Sequence, residues 1–180
     1  MAHGFRRLDP AEIPALRGLE NRAILKHVGV PMWKLPAIGG SLRRLATRDA
    51  GRIPLFDGVD AMLHRLSASG LRLAVVSSND ERNVRRILGP ELAGLVDCYG
   101  CGAALFGKPG NFRQVMKQLR ADPAGVVAIG DEGRDLEAAR EVGIASLAVG
   151  WGYADQALLR SLQPTMMAER VADIAALLGA

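Results

Sequence analysis

The chain has 180 residues, a formal net charge of +4, 49% hydrophobic residues and 23% charged residues. That is room for one domain, or a domain with a small appendage, and the composition excludes a disordered chain. Lysines and arginines are scattered, which favours anionic ligands without marking a nucleic-acid surface, and aromatics at 4% leave few platforms for stacked bases.

In chain order, residues 10–28 predict one helix or two short ones. Asp9 is placed as N-cap and Pro10 at the first helical position, and Val30-Pro31 breaks the pattern. A helix over 35–46 follows, with Leu35, Ile38, Leu42 and Leu45 as its apolar face and Arg43, Arg44 and Arg48 on a solvated one. After Ile53-Pro54 helices and strands alternate. Helices are expected at 59–69, 81–88, 112–119, 136–142, 154–162 and 171–178, the second stopped by Gly89-Pro90. Strands are expected at 71–76, 96–99, 126–129 and 146–149, with 165–168 extended. Short, apolar, β-branched strands between helices mean a parallel sheet covered on both faces, with ligands bound beyond the carboxyl ends of the strands. No apolar run reaches membrane-span length and residues 1–10 lack a signal-peptide core, so a cytoplasmic protein is expected, with neither membrane nor nucleic acid as partner.

Polar residues collect at those strand ends. Ser77 offers a hydroxyl, and Ser78 and Asn79 follow with backbone N–H groups for a phosphate oxygen; taken alone, the residues favour a plain Ser/Asn turn and helix cap. Gly107-Lys108-Pro109 places a cation in a loop between two strand tips and is not a Walker loop. Gly130-Asp131-Glu132-Gly133-Arg134-Asp135 sets two carboxylates four residues apart at a strand-to-helix turn. Hard oxygen donors of this kind suit Mg²⁺, although Asp135 as a helix cap and Asp131 as a turn residue also fit. A hydroxyl, a lysine and an acidic pair at the loops of one sheet describe a site for a phosphate and Mg²⁺. Cys98 and Cys101 form a Cys-x-x-Cys spacing, but two further zinc ligands are not evident and no helix start follows the first thiol.

With these residues in hand, the chain resembles the haloacid dehalogenase-like hydrolase superfamily, especially its phosphoglycolate phosphatase-like members, over residues 10–180. Val75-Val76-Ser77-Ser78-Asn79 is similar to the family's second motif, Gly107-Lys108-Pro109 to its third, and Gly130-Asp131 through Asp135 with Leu136-Glu137-Ala138-Ala139-Arg140 to its fourth. Phe56-Asp57-Gly58-Val59 resembles the re-entry from a helical cap into the core. The resemblance implies an α/β fold: a three-layer Rossmann-like parallel sheet with a partial helical cap at 1–52 and a core at 53–180. It implies that Ser77 binds the transferring phosphoryl group, that Lys108 neutralises it and the nucleophile, and that Asp131, supported by Asp135, holds Mg²⁺. The implied partner is a small phosphorylated metabolite, with cap residues choosing it.

The family's first motif, an Asp-x-Asp closing the first core strand, is not found. Asp57-Gly58-Val59-Asp60 opens a helix, and Asp97 lacks a second carboxylate two residues on. In the family that first strand lies between the strands placed here at 71–76 and 126–130. The expectation is therefore a core lacking its first strand, and a chain inactive as it stands. Two other classes remain open: a non-catalytic binding or regulatory module, and a redox protein using Cys98 and Cys101.

Overall fold

The computed structural model describes residues 8–102 and 107–180. Three helices come first, α1 (Ile13–Arg17), α2 (Asn21–Val28) and α3 (Leu35–Asp49). The predicted start holds. Asp9 accepts from the Ala11 amide and Glu12 accepts from the Asp9 amide, so two orphan donors are satisfied reciprocally at Pro10. Gly29 ends α2 in the left-handed region at φ 71°. The spacing of α3 is as predicted, but its apolar face is not buried: Leu42 is 57% exposed and Leu45 46%. The physical reason is that α3 packs mainly on the short 3₁₀ turns at its two ends.

The alternation then runs α4 (Val59–Ala68), β1 (Leu73–Ser77), α5 (Glu81–Gly94), β2 (Val96–Cys101), α6 (Lys108–Leu119), β3 (Val127–Gly130), α7 (Gly133–Val142), β4 (Ala145–Val149), α8 (Gln156–Ser161), β5 (Met166–Ala168) and α9 (Asp173–Leu177). The helix expected to stop at Gly89-Pro90 does break there, and a second helical segment follows. Gly89 leaves helical geometry at φ 74°, and Pro90, whose ring presets a helical φ and whose missing N–H is no loss at a helix start, begins a further turn to Gly94.

All strand pairs are parallel, but the sheet is in two parts, β2-β1 and β3-β4-β5. β4 is paired on both edges and covered on both faces. Leu147 and Val149 pack with Leu66 of α4 and Ile174 of α9, while Ala148 packs with Leu136 of α7 and Leu159 of α8. This is the three-layer arrangement that the apolar strands predict. β1 and β3 each keep one edge without a strand partner among the described residues, and Ile129 in β3 is 42% exposed. The two edges lie against one cluster, since Leu73 of β1 and Val127 of β3 both pack against the group that includes Leu66, Leu147 and Ile174. Helix α6 spans the seam: it packs on β1 and β2, while its Phe112 and Met116 reach Ala128 of β3 and Ala139 of α7.

Leu147→Ala, which empties a fully buried position, is expected to cost about 3–4 kcal/mol, read from urea unfolding. Leu42→Ala on the uncovered face of α3 is expected to stay within about 0.5 kcal/mol. An equal loss at both sites would show that α3 is covered in solution.

Candidate active site

Parallel strands put their carboxyl ends on one side, where the loop after β3 meets both the start of α6 and the loop after β4. Lys108 is the first residue of α6 rather than a loop residue. Its side chain is only 14% exposed and forms an ion pair with Asp135, which is 7% exposed. Burial lowers the Lys108 ammonium from its ordinary value to about 8, helped by the Arg134 guanidinium and opposed by Glu132 and Asp131. It is therefore mostly charged at neutral pH.

Asp135 is not the helix cap. Glu132 is the N-cap of α7, and Asp135 is the reciprocal acid three residues on, its Oδ2 accepting from the Glu132 amide at 3.2 Å. Both Asp135 oxygens are thus engaged, one by Lys108 and one by the backbone. Gly130 is required for this: a Cβ there would sit 2.3 Å from the Asp135 Cβ. Asp131 ties its loop to the one after β4. Its Oδ2 accepts from the Tyr153 amide at 2.7 Å, and its carbonyl accepts from the Ala154 amide at 3.0 Å. Its Oδ1 carries no hydrogen bond among the described residues.

Glu132 faces the helical appendage. It accepts from Arg134 Nη2 at 2.6 Å and from Asn21 Nδ2 of α2 at 3.2 Å, while the buried Arg134 Nε has no partner. A cavity of about 330 Å³ lies between α2 and the start of α7, lined by Asn21, Arg22, Glu132, Arg134, Tyr153 and Leu158 among others. Its size suits a small molecule.

Ser77 sits at the tip of β1 on the other side of the seam. Its Oγ accepts from the Asn79 amide at 3.1 Å, which leaves its hydroxyl proton for a ligand. The Asn79 side chain braces the loop, its Oδ1 accepting from the Asp80 amide and from Asn83 Nδ2, both at 2.9 Å. Lys108, Asp131 and Asp135 are brought together in one cluster with Glu132 and Arg134. No hydrogen bond among the described residues joins the Ser77 loop to it.

Asp57 lies in the turn before α4 and Asp60 on that helix, so neither closes a strand. Cys98 and Cys101 lie three residues apart on β2, where side chains point to opposite faces, and burial raises both thiols. That removes the redox reading. Reasoning from sequence missed Arg17, which donates to the Gly152 carbonyl and, at 2.6 Å, to the Tyr153 carbonyl. The available signal was Trp151-Gly152-Tyr153 behind an apolar strand, since a Cβ at Gly152 would lie 2.1 Å from the Asp131 Cβ.

A parallel α/β core carrying a buried lysine and an acidic strand-end loop defines the class: a hydrolase core of the dehalogenase type. The family profile described as haloacid dehalogenase-like hydrolase matches residues 2–149, and the chain belongs to that family. A phosphoglycolate phosphatase from Synechococcus elongatus is 29% identical over 172 residues, 95% of this chain and 81% of that protein. The tyrosine-protein kinase PtkA of Mycobacterium tuberculosis is 36% identical over 105 residues, 55% of this chain and 35% of PtkA. A haloacid dehalogenase-like hydrolase from Streptococcus pneumoniae superposes with a TM-score of 0.77 at 21% identity, covering 96% of this chain and 82% of its own. No helix among the described residues is long and apolar enough to cross a membrane.

Asp135→Ala leaves the Lys108 ammonium buried without its counter-charge and is expected to cost about 3–5 kcal/mol. Replacing both partners, Lys108→Met with Asp135→Leu, is expected to recover most of that loss. A double-mutant cycle in urea measures it, and additive losses would mean the pair is not coupled.

Proposed function

We propose that this chain is the body of a Mg²⁺-dependent phosphatase acting on a small phosphorylated metabolite in the cytoplasm, and that by itself it binds such a ligand without turning it over. The observation that carries the reading is the buried Lys108–Asp135 pair beside the open oxygen of Asp131. The fixed ammonium supplies positive charge where phosphoryl oxygens would lie, in a site that excludes much of the water that would screen it. Ser77 would donate its hydroxyl, and Ser78 its amide, to the same group. Asn79 holds that loop in shape. The phosphoglycolate phosphatase relative supports a small phosphate ester as the ligand class.

The donor set fits a hydrated magnesium ion in one respect only. Mg²⁺ is commonly bound through one or two carboxylates together with waters and substrate phosphate, and Asp131 has an oxygen to give. Asp135 already accepts from Lys108 and from the Glu132 amide, and no group of three or more His, Cys, Asp or Glu suited to a metal occurs among the described residues. Asp131 would therefore hold the ion and Asp135 would hold Lys108. When bound, the ion would neutralise phosphate oxygens. No carboxylate closes β1 or β2 as a nucleophile, and loss of such a group can lower turnover by about 10⁶.

The test is calorimetry with inorganic phosphate or vanadate and Mg²⁺, followed by an assay of phosphate release from phosphoglycolate. The chain is expected to bind, Lys108→Met to bind at least about tenfold more weakly, and release to stay near background. A form carrying an upstream apolar strand that ends in Asp-x-Asp is expected to turn over, and Asp131→Asn to reduce its rate by about 10²–10³. Absence of anion binding would overturn the reading. Magnesium-dependent turnover by the chain alone would overturn the binding-only half, and, with ATP supplied, ADP formed without release of inorganic phosphate would redirect the assignment to phosphotransfer.

A further inference from the structure

The geometry assigns Arg17 of α1 a positioning role. It fixes the Asp131 carboxylate through the single peptide unit between Gly152 and Tyr153, so that the helical appendage sets the aim of the acidic site. This rests on the proposed reading of Asp131 as the metal-holding carboxylate.

A trans peptide is a rigid plane whose C=O and N–H point in opposite directions. Here both ends of one such unit are engaged by charged side chains. Its carbonyl, that of Gly152, accepts from Arg17 Nη2, and its amide, that of Tyr153, donates to Asp131 Oδ2 at 2.7 Å. The cation draws on the oxygen and the carboxylate draws on the hydrogen, so each bond polarises the amide in the sense that strengthens the other. Arg17 does not rest on one bond. Its Nε donates to the next carbonyl, that of Tyr153, at 2.6 Å, and its own carbonyl accepts from the Asp155 amide at 2.9 Å. The planar guanidinium fork matches two successive carbonyls in a way an ammonium does not. On the far side there is no slack: a Cβ at Gly152 would lie 2.1 Å from the Asp131 Cβ, so the peptide plane lies directly against the acid. A second contact between appendage and acidic loop, Asn21 to Glu132, runs parallel to this one and leaves Asp131 untouched.

The experiment measures hydrogen exchange at the Tyr153 amide by NMR, with the Leu147 amide in β4 as the reporter of global opening, and Mn²⁺ affinity by electron paramagnetic resonance. Arg17→Ala is expected to speed Tyr153 exchange by at least about tenfold with Leu147 unchanged. It is also expected to weaken Mn²⁺ binding by about 10–100-fold, the usual effect of removing a group that orients a ligand. Arg17→Lys, which can serve one carbonyl, is expected to fall between, and it carries the test if Arg17→Ala speeds Leu147 exchange as well. Wild-type Tyr153 exchange in both variants would overturn the proposal, whatever the metal does. Mn²⁺ binding unaltered by Asp131→Asn would overturn the reading of Asp131 as ligand and leave the exchange result to decide Arg17 alone.

Discussion

The Lys108–Asp135 ion pair joins two halves that the backbone does not. Across the seam between β1 and β3 no ladder of hydrogen bonds runs among the described residues, and the relative placement of the two sheets depends on helices that touch both. Helix α6 does this, and its first residue is pinned by charge to the first turn of α7. Burial makes that contact demanding. An ammonium and a carboxylate both removed from water must stay paired, which fixes the spacing of the two helix starts more tightly than apolar packing would. The reciprocal capping by Glu132 and Asp135 and the bare Cα of Gly130 then leave one arrangement for the loop. The site is built out of the same contacts that hold the halves in register.

Much of the fold is legible in the sequence because short-range physics sets it. Asp9-Pro10, Gly29 and the β-branched runs mark helix starts, stops and strands wherever local preference and burial agree. The misreadings share one cause, which is that periodicity records what a side chain could bury and not what lies opposite it. Leu42 and Leu45 have helical spacing and no cover. The run ending at Ile129 reads as a strand buried on both sides, yet one flank has no neighbour. At Gly89-Pro90 the break is read correctly, and the turn that follows it is what the sequence leaves out, because proline is as well suited to starting a helical turn as to ending one.

The candidate site divides the same way. Lys108, Asp131 and Asp135 could be named from their order at strand ends, but their partners could not. That Asp135 is filled by Lys108 and the Glu132 amide, and that Glu132 turns to Asn21 of α2, depends on contacts between residues far apart in the chain. Arg17 is the clearest case, since it acts on backbone carbonyls 135 and 136 positions away and no sequence pattern records a carbonyl. Ser77, for its part, lies across the seam from the acids, so the hydroxyl and the carboxylates belong to different halves of the molecule.

The uncompleted flanks of β1 and β3 have a colloidal consequence as well. Each presents a row of backbone donors and acceptors that any extended chain can zip onto, and neither proline nor lysine occurs in Leu73–Ser77 or Val127–Gly130 to discourage it. Such borders give a polypeptide a tendency to self-associate that rises with concentration, whatever its net charge. In this molecule the strand borders are the places where such association would begin.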